Sequence, residues 1–491
     1  MNLPVKELKT DLVVIGGGGA GLAAAVAAAE NGVRVTVLEK HGLGGNSALA
    51  FGIFGAESPT QKRLNIDCSK DELFKQAMDF AHWRINSGLV RAVIDKSGDT
   101  IRWFEEKGLK FDCIPYFHDP GQQVPTWHIP DGGGAELIKV LSRDCKTMGV
   151  KVFKQTPAKK ILTSSEGKIT GVSAESKGEM LRIKTKSAII ATGGFGGNKT
   201  LLKKYCPDYR DNMVCFGLLH QGDGLMMAEK IGAANEGLGL LQLSGPITLG
   251  NITLETDSTP NTKKVTLYFS IVFEPTTVWM NKMGKRFINE SICHDHHLSS
   301  HAVARQTEGV CYTVFDDKVM QKMMAEKKDP ELKLKNFRGG PRRLKGKEAE
   351  AIKGSFRMFK SWDDLARWMD ADPRGLKATI DEYNGFCDQG HDSVFAKEGK
   401  YLQPLRTPPY YAVRWYPTFP NTMGGIKIDE HMEVLDKQDR PIPGLYAAGV
   451  DTGGWVSETY FIKLSGYAFG YAVNSGRIAG EDAARYVRTQ S

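Results

Sequence analysis

Three glycine turns carry the first chemistry that can be read in this chain. In the segment DLVVIGGGGAGLAAAVAAAENGVRVTVLEK, the apolar run Leu12–Ile15 leads into Gly16-x-Gly18-x-x-Gly21, an alanine-rich helical run follows, and a second strand, Val35–Leu38, ends at Glu39. A strand, glycine turn, helix and strand in that order make a dinucleotide fingerprint. The first glycine forms the tight turn, the second lets backbone approach a pyrophosphate, and the third lets helix and strand pack closely. The anion then sits at a helix N-terminus, where free N–H groups and the helix dipole favour it. Glu39 is placed to accept hydrogen bonds from a ribose, and an acid there favours a free 2′-hydroxyl over a 2′-phosphate, which argues against NADP. Further strand-and-glycine turns stand at 188–194 and 444–449. The nucleotide domain is therefore assembled from both ends of the chain, with something inserted between.

The elements that must position these turns have ample chain to draw on. With 491 residues there is room for two or three domains and a large core. Hydrophobic residues at 41%, charged residues at 25% and a mean hydropathy of -0.32 exclude wholesale disorder and a multi-span membrane protein. The eight cysteines show no C-x-x-C pair, haem attachment or iron–sulfur spacing, so no redox metal is expected and the thiols read as reduced, mostly buried groups. The N-terminus lacks an apolar signal region and no run of ~20 apolar residues occurs, so a soluble cytoplasmic protein without a membrane span is expected. The net charge of +8 is local. Residues 318–360 hold fourteen Lys/Arg against five Asp/Glu, leaving the remainder near neutral. That stretch has neither interleaved aromatics nor a binding module for nucleic acid. It reads either as a solvated face or as a docking patch for an acidic electron donor. The insertion falls at 245–420, with a strand-like 276–280 and a helical 362–383.

Taken together, the ordered motifs resemble a family. They are Gly16 to Gly21 with Glu39-Lys40, Gly44-Gly45-Asn46-Ser47, Ala191-Thr192-Gly193-Gly194-Phe195 and Gly222-Asp223-Gly224. They continue with Asn281-Lys282-x-Gly284-Lys285-Arg286-Phe287-x-Asn289-Glu290, Tyr383-Asn384, Pro408-Pro409-Tyr410-Tyr411-Ala412, Thr422-Met423-Gly424-Gly425, Gly444 to Gly449 and Gly476 to Gly480. Nearly end to end, the chain resembles the soluble FAD-dependent flavoprotein subunits related to fumarate reductase and succinate dehydrogenase, and it is similar to 3-ketosteroid dehydrogenase-type flavoproteins. The resemblance implies an α/β fold: a Rossmann-like FAD-binding domain (1–244 and 421–491) interrupted by an α+β capping domain (245–420), with substrate held between them against the flavin. It implies hydride transfer between flavin N5 and a carbon–carbon bond. FAD, being long, needs several close backbone approaches, and the C-terminal turns favour it over NAD. The residues expected to hold it are Gly16, Gly18, Ala20, Gly21, Glu39, Lys40, Gly45, Asn46, Ser47, Gly52, Ala158, Ala191, Thr192, Gly193, Asp223, Gly449, Asp451, Gly466, Ala468 and Phe469. Asn46 stands at the place of the histidine that bonds flavin covalently in membrane-bound relatives, so non-covalent FAD is expected.

The departures from that family concern substrate. The family's proton-donating arginine, five residues after the Asn of N-E-x-x-x-R-D, is His294 here. Its histidine before T-M-G-G is Asn421, and the segment resembling Q-x-H-P (242–246) has no histidine, with Ser244 in the run. The acid and arginine that feed protons to the family's donor count to Ser270 and Phe273. Lys463 stands at the last recognition arginine, in a loop about three residues longer that adds Trp455, Tyr460 and Phe461. Val450 replaces the Glu of A-A-G-E, and Asp451 beside it is expected to take over a ribityl hydrogen bond. Related flavoproteins acting on ketosteroids and aryl acrylates use a tyrosine as donor or acceptor, so Tyr460 leads as proton donor with Lys463 lowering its pKa, and His294 stands second. Trp455, Phe461, Asn421 and Ser244 are the expected substrate contacts. The expected activity is reduction of the C=C bond of an activated alkene, an unsaturated acid other than fumarate, with electrons from a separate carrier docking at 318–360. Two alternatives stay open: a dehydrogenase or reductase of an enone such as a 3-ketosteroid, and a flavin electron carrier or redox sensor without alkene chemistry.

Overall fold

Short β-branched runs buried on both faces become inner strands of a parallel sheet. The computed structural model describes residues 4–115, 124–245, 252–254, 265–267, 272, 274–325 and 355–490. Its central sheet has six strands in the order Glu433–Leu435, Pro441–Ala447, Ser187–Ile190, Leu12–Ile15, Val35–Leu38 and Lys151–Phe153. All adjacent pairs are parallel except the Glu433–Leu435 edge. Ile189 lies between Val14 and Tyr446, so three distant parts of the sequence meet at the middle of the sheet.

The alanine-rich run forms the Gly19–Glu30 helix, which is buried along most of its length. The last helix, Tyr467–Thr489, packs on it at close range, because a Cβ on Gly476 would come within 2.2 Å of the Ala20 carbonyl oxygen and one on Gly480 within 2.3 Å of that of Ala24. A second sheet orders Val5–Lys9, Glu179–Lys184, Ile169–Ser176 and Ala158–Thr163.

The insertion has a sheet and cores of its own. Val278–Met280, Cys311–Asp316, Tyr410–Trp415 and Phe356–Phe359 form an antiparallel sheet with apolar clusters on its faces. The expected strand at 276–280 is shorter, since Thr276 and Thr277 belong to a turn held by Glu274. The expected helix at 362–383 is two helices, Trp362–Met369 and Pro373–Gln389. Asp370 closes the first in a left-handed conformation, and Asp372 caps the second ahead of Pro373. The chain leaves and re-enters the nucleotide domain through paired backbone: Ser244 N–H donates to the Thr418 carbonyl at 2.7 Å and Thr418 N–H to that of Ser244 at 2.9 Å. All eight cysteines are free thiols and six are buried. Among the described residues no helix is long and apolar enough to cross a membrane. Most of the basic segment, 326–354, lies outside the described residues, as do Ser270 and Phe273.

Candidate functional site

The glycine turn takes the form its spacing predicts. Gly16 has φ +111, and a Cβ there would lie 2.1 Å from the Ala191 carbonyl oxygen. A Cβ on Gly21 would meet the Gly16 carbonyl at 2.0 Å, whereas one on Gly18 would find nothing nearer than 3.9 Å. The first and third glycines are therefore demanded by packing, and the second faces open space. Neither a capping side chain nor a first-turn acid covers the N-terminus of the Gly19–Glu30 helix. Ser47 and Phe469 both close on Gly19, with Ser47 Oγ 2.5 Å from its Cβ position.

Glu39 accepts from the Gly17 N–H at 2.7 Å and the His41 N–H at 2.6 Å, which fixes its carboxylate beside the turn. Lys40 and Asp223 form an ion pair at 2.9 Å across the groove mouth. Asp451 is buried and accepts from three consecutive backbone N–H groups, those of Thr192, Gly193 and Gly194, and from the Thr192 hydroxyl. Burial pushes its carboxyl up against the pull of those donors. In this structure Asp451 ties the turn at 192–194 to the turn at 449–451. Gly449, φ +70, sits over Ala20.

Around this groove the remaining expected residues gather unevenly. Ala191 donates its N–H to Ile15, Gly45 follows Gly44 in the turn facing Gly18, and Gly466 caps the last helix with φ +80. Gly52 is pressed on the His128 carbonyl, and Ala158 opens a strand beside the Asp223–Lys230 helix. One residue was not anticipated. The His220 ring lies 2.8–2.9 Å from where a Gly193 Cβ would stand. Burial holds its imidazole below the usual range, opposed by Asp451, Glu39 and Asp223. Its place two residues before Gly222-Asp223 was the available signal.

A narrow seam separates the groove from the insertion. Asn46 accepts from the Leu218 N–H at 2.6 Å and donates to Asn421 Oδ1 at 2.6 Å, and Asn421 donates to Gln242 Oε1 at 3.1 Å. Tyr460 is buried here. Its hydroxyl oxygen accepts the Ala468 N–H at 2.9 Å, in the first turn of the last helix, and its ring centroid is 4.7 Å from that of His297. Burial pushes the phenol well above its usual range, while the N–H groups of Ala468 and Tyr467 draw it down. Three side-chain atoms beside these residues, Ser244 Oγ, Thr459 Oγ1 and Tyr467 OH, are buried without hydrogen-bond partners among the described residues. Such atoms are costly to leave unpaired and fit a ligand-facing wall.

Other expected contacts are packed in different surroundings. Trp455 is stacked on Tyr471 at 4.4 Å with its N–H given to the Thr452 carbonyl, and Phe461 is stacked on Phe80 at 4.4 Å. Both belong to the main core, as Tyr460 does, and Trp455 also packs on the Tyr467 ring at 5.7 Å, so Trp455 backs the wall that Tyr467 helps to form. Lys463 is exposed, and the groups acting on the Tyr460 phenol are burial and backbone N–H donors instead. His294 is half-buried, its Nε2 without a partner and its ring 6.2 Å from Tyr401; the histidine against Tyr460 is His297. The sequence run HDHH held that signal: Asp295 closes the turn that ends at His294 and caps the helix that carries His297.

The groove fits a dinucleotide cofactor: a glycine cradle open at Gly18, an uncapped helix N-terminus, and acids at both ends of the path in Glu39 and Asp451. The family model described as "FAD binding domain" matches residues 11–461. The chain is 31% identical to a vinyl phenol reductase of Lactiplantibacillus plantarum, over 98% of this chain and 97% of that protein. The open conformation of a flavocytochrome c3 fumarate reductase superposes with a TM-score of 0.72 at 27% identity, covering 98% of this chain and 79% of that one. The 3-ketosteroid-Δ4-(5α)-dehydrogenase of Rhodococcus jostii RHA1 shares the fold, with a TM-score of 0.75 at 22% identity and 97% of each chain covered.

Proposed function

The chain belongs to the FAD binding domain family, and from that premise we propose that it reduces the C=C bond of an alkene conjugated to an aromatic ring, with Tyr460 as proton donor. It is an FAD-dependent oxidoreductase acting on carbon–carbon bonds. When bound, FAD supplies a hydride at N5. The glycine turns at 16–21, 192–194 and 449–451 would hold it, and Asn46, an amide engaged at both ends, leaves it non-covalently bound.

The observation that carries the reading is the hydrogen bonding of Tyr460. Its oxygen already accepts the Ala468 N–H, and its proton has no acceptor among the described residues. The proton is thus free to pass to a substrate carbon. The phenolate left behind sits at the N-terminus of a 23-residue helix, where N–H groups and the dipole favour negative charge. Water exclusion follows from burial of the phenol. Among the described residues Tyr460, His297, Asn421, Gln242 and Ser244 gather without an arginine, which supports a substrate other than a dicarboxylate such as fumarate. The name of the vinyl phenol reductase relative agrees with that polarity. Electrons would come from a separate donor, for which 318–360 is the docking candidate.

The test is anaerobic reduction of the purified protein followed by flavin reoxidation with 4-vinylphenol, an aryl acrylate, a steroid enone and fumarate. An aryl alkene is expected to reoxidise it rapidly, and Tyr460→Phe to slow that step by about 10²- to 10⁴-fold with FAD retained. Fast reoxidation by fumarate, or full activity in Tyr460→Phe, overturns the reading.

A further inference from the structure

His297 is held on several sides. It lies in the first turn of the His296–Ala304 helix, capped by Asp295, whose carboxylate accepts the His297 and Leu298 N–H groups at 3.0 Å. Its Nδ1 is 2.5 Å from the Leu243 carbonyl oxygen, its ring is 4.1 Å from that of His296, and Tyr460 covers it at 4.7 Å. A carbonyl can only accept, so Nδ1 carries the proton and Nε2 is left as a pure acceptor. Among the described residues Nε2 makes no hydrogen bond, and although the residue is only 4% exposed Nε2 keeps some access, unlike the sealed Nε2 atoms of His294 and His301. Burial, aided by His301, holds the imidazole neutral down to about pH 4. Nε2 therefore offers a lone pair, not a positive charge, beside the proton donor.

We propose that His297 is the specificity-determining residue of the seam and selects alkenes whose conjugated aromatic ring bears an uncharged hydroxyl. This rests on the seam being the substrate site. A lone pair fixed in a buried wall repels a carboxylate oxygen and is satisfied by an O–H. A phenol has a pKa near that of tyrosine, ~10, and so keeps its proton at neutral pH. A site built around a hydrogen bond rejects the analogue that cannot make it, because the bound ligand then covers the acceptor without pairing it. The methyl ether of the same phenol keeps shape and ring while losing the donor.

Binding decides the point without turnover. The oxidised, FAD-loaded enzyme is titrated with 4-ethylphenol and with 4-ethylanisole, following the perturbation of flavin absorbance. The phenol is expected to bind about 10- to 100-fold more tightly than its ether, with His297→Phe levelling the two and His297→Gln, whose amide keeps an acceptor, restoring part of the difference. FAD content of each variant is read from the same spectra, so a folding defect is recognised. Equal binding of phenol and ether by the unaltered enzyme, or discrimination that survives in His297→Phe, overturns the proposal. If no alkene reoxidises the reduced enzyme, the reaction proposed above fails, and the phenol-to-ether ratio still decides His297.

Discussion

A buried phenol is a weak acid, and as the proposed donor Tyr460 would meet that difficulty through backbone N–H groups at a helix start instead of a neighbouring cation. Lys463 is exposed, so Lys463→Met is expected to leave single-turnover reoxidation within about threefold of the unaltered rate, and a larger loss would give the lysine a part in the reaction. His220 belongs to the groove. Its ring packs on Gly193 within the electrostatic reach of Glu39 and Asp451, and if FAD runs along that turn His220→Ala is expected to weaken FAD binding by about tenfold or more, measured by fluorescence titration of the apoprotein. Two other histidines make stability depend on pH. His128, bonded to Ser58 and Thr126, and His297 are both held near pKa 4 by burial, against 6.5 for a free histidine. Between those values the unfolded chain binds protons the folded one refuses, so stability is complete above about pH 6.5 and is lost as pH falls toward 4. Urea midpoints at pH 7.5 and 5 should differ accordingly, and His128→Gln should flatten the difference.

At the scale of elements, the motif Asn281 to Glu290 builds the insertion's interior. Arg286 forks onto Glu290 with two 2.9 Å bonds and reaches Asp392 at 2.7 Å, while Lys397 lies 3.2 Å from Glu290 and donates to the Thr277 carbonyl at 2.8 Å. Two cations and two anions are buried together, so removing one leaves uncompensated charge. Glu290→Ala is expected to cost about 3–5 kcal/mol, seen as an earlier unfolding transition with the seam chemistry untouched until the cap melts. Sequence reasoning anticipated the strand, glycine turn, helix and strand of residues 12–38 because glycine spacing there has one physical meaning. It misplaced the helix at 362–383, although Asp372-Pro373 is a helix-start signal. It named His294 by counting along a motif and did not weigh His297, because counting cannot say which side chain the next helix brings against Tyr460. Trp455 and Phe461 were expected at the substrate for the same reason: a loop's aromatics show bulk in sequence but not direction.

Across the whole molecule, the turns at 16, 193 and 449 could be matched to one groove from sequence because each pairs a buried strand with glycines, and the structure sets those strands side by side. The proposed substrate wall was less legible, since its atoms come from both halves and from an inserted unit. If the strongly basic stretch 318–360 receives an acidic donor, turnover with that donor should fall steeply as salt rises from about 0.05 to 0.5 M, while reoxidation by alkene stays constant. The order of strands in the central sheet also bears on how the chain is made. Ser187–Ile190 emerges from the ribosome long before its neighbour Pro441–Ala447 exists, with about 250 residues between them. At roughly 5–20 residues per second, an apolar strand edge waits on the order of 10–50 s for its partner. The nascent protein thus spends most of its synthesis with an unsealed sheet, the period in which chaperone capture or aggregation decides its yield.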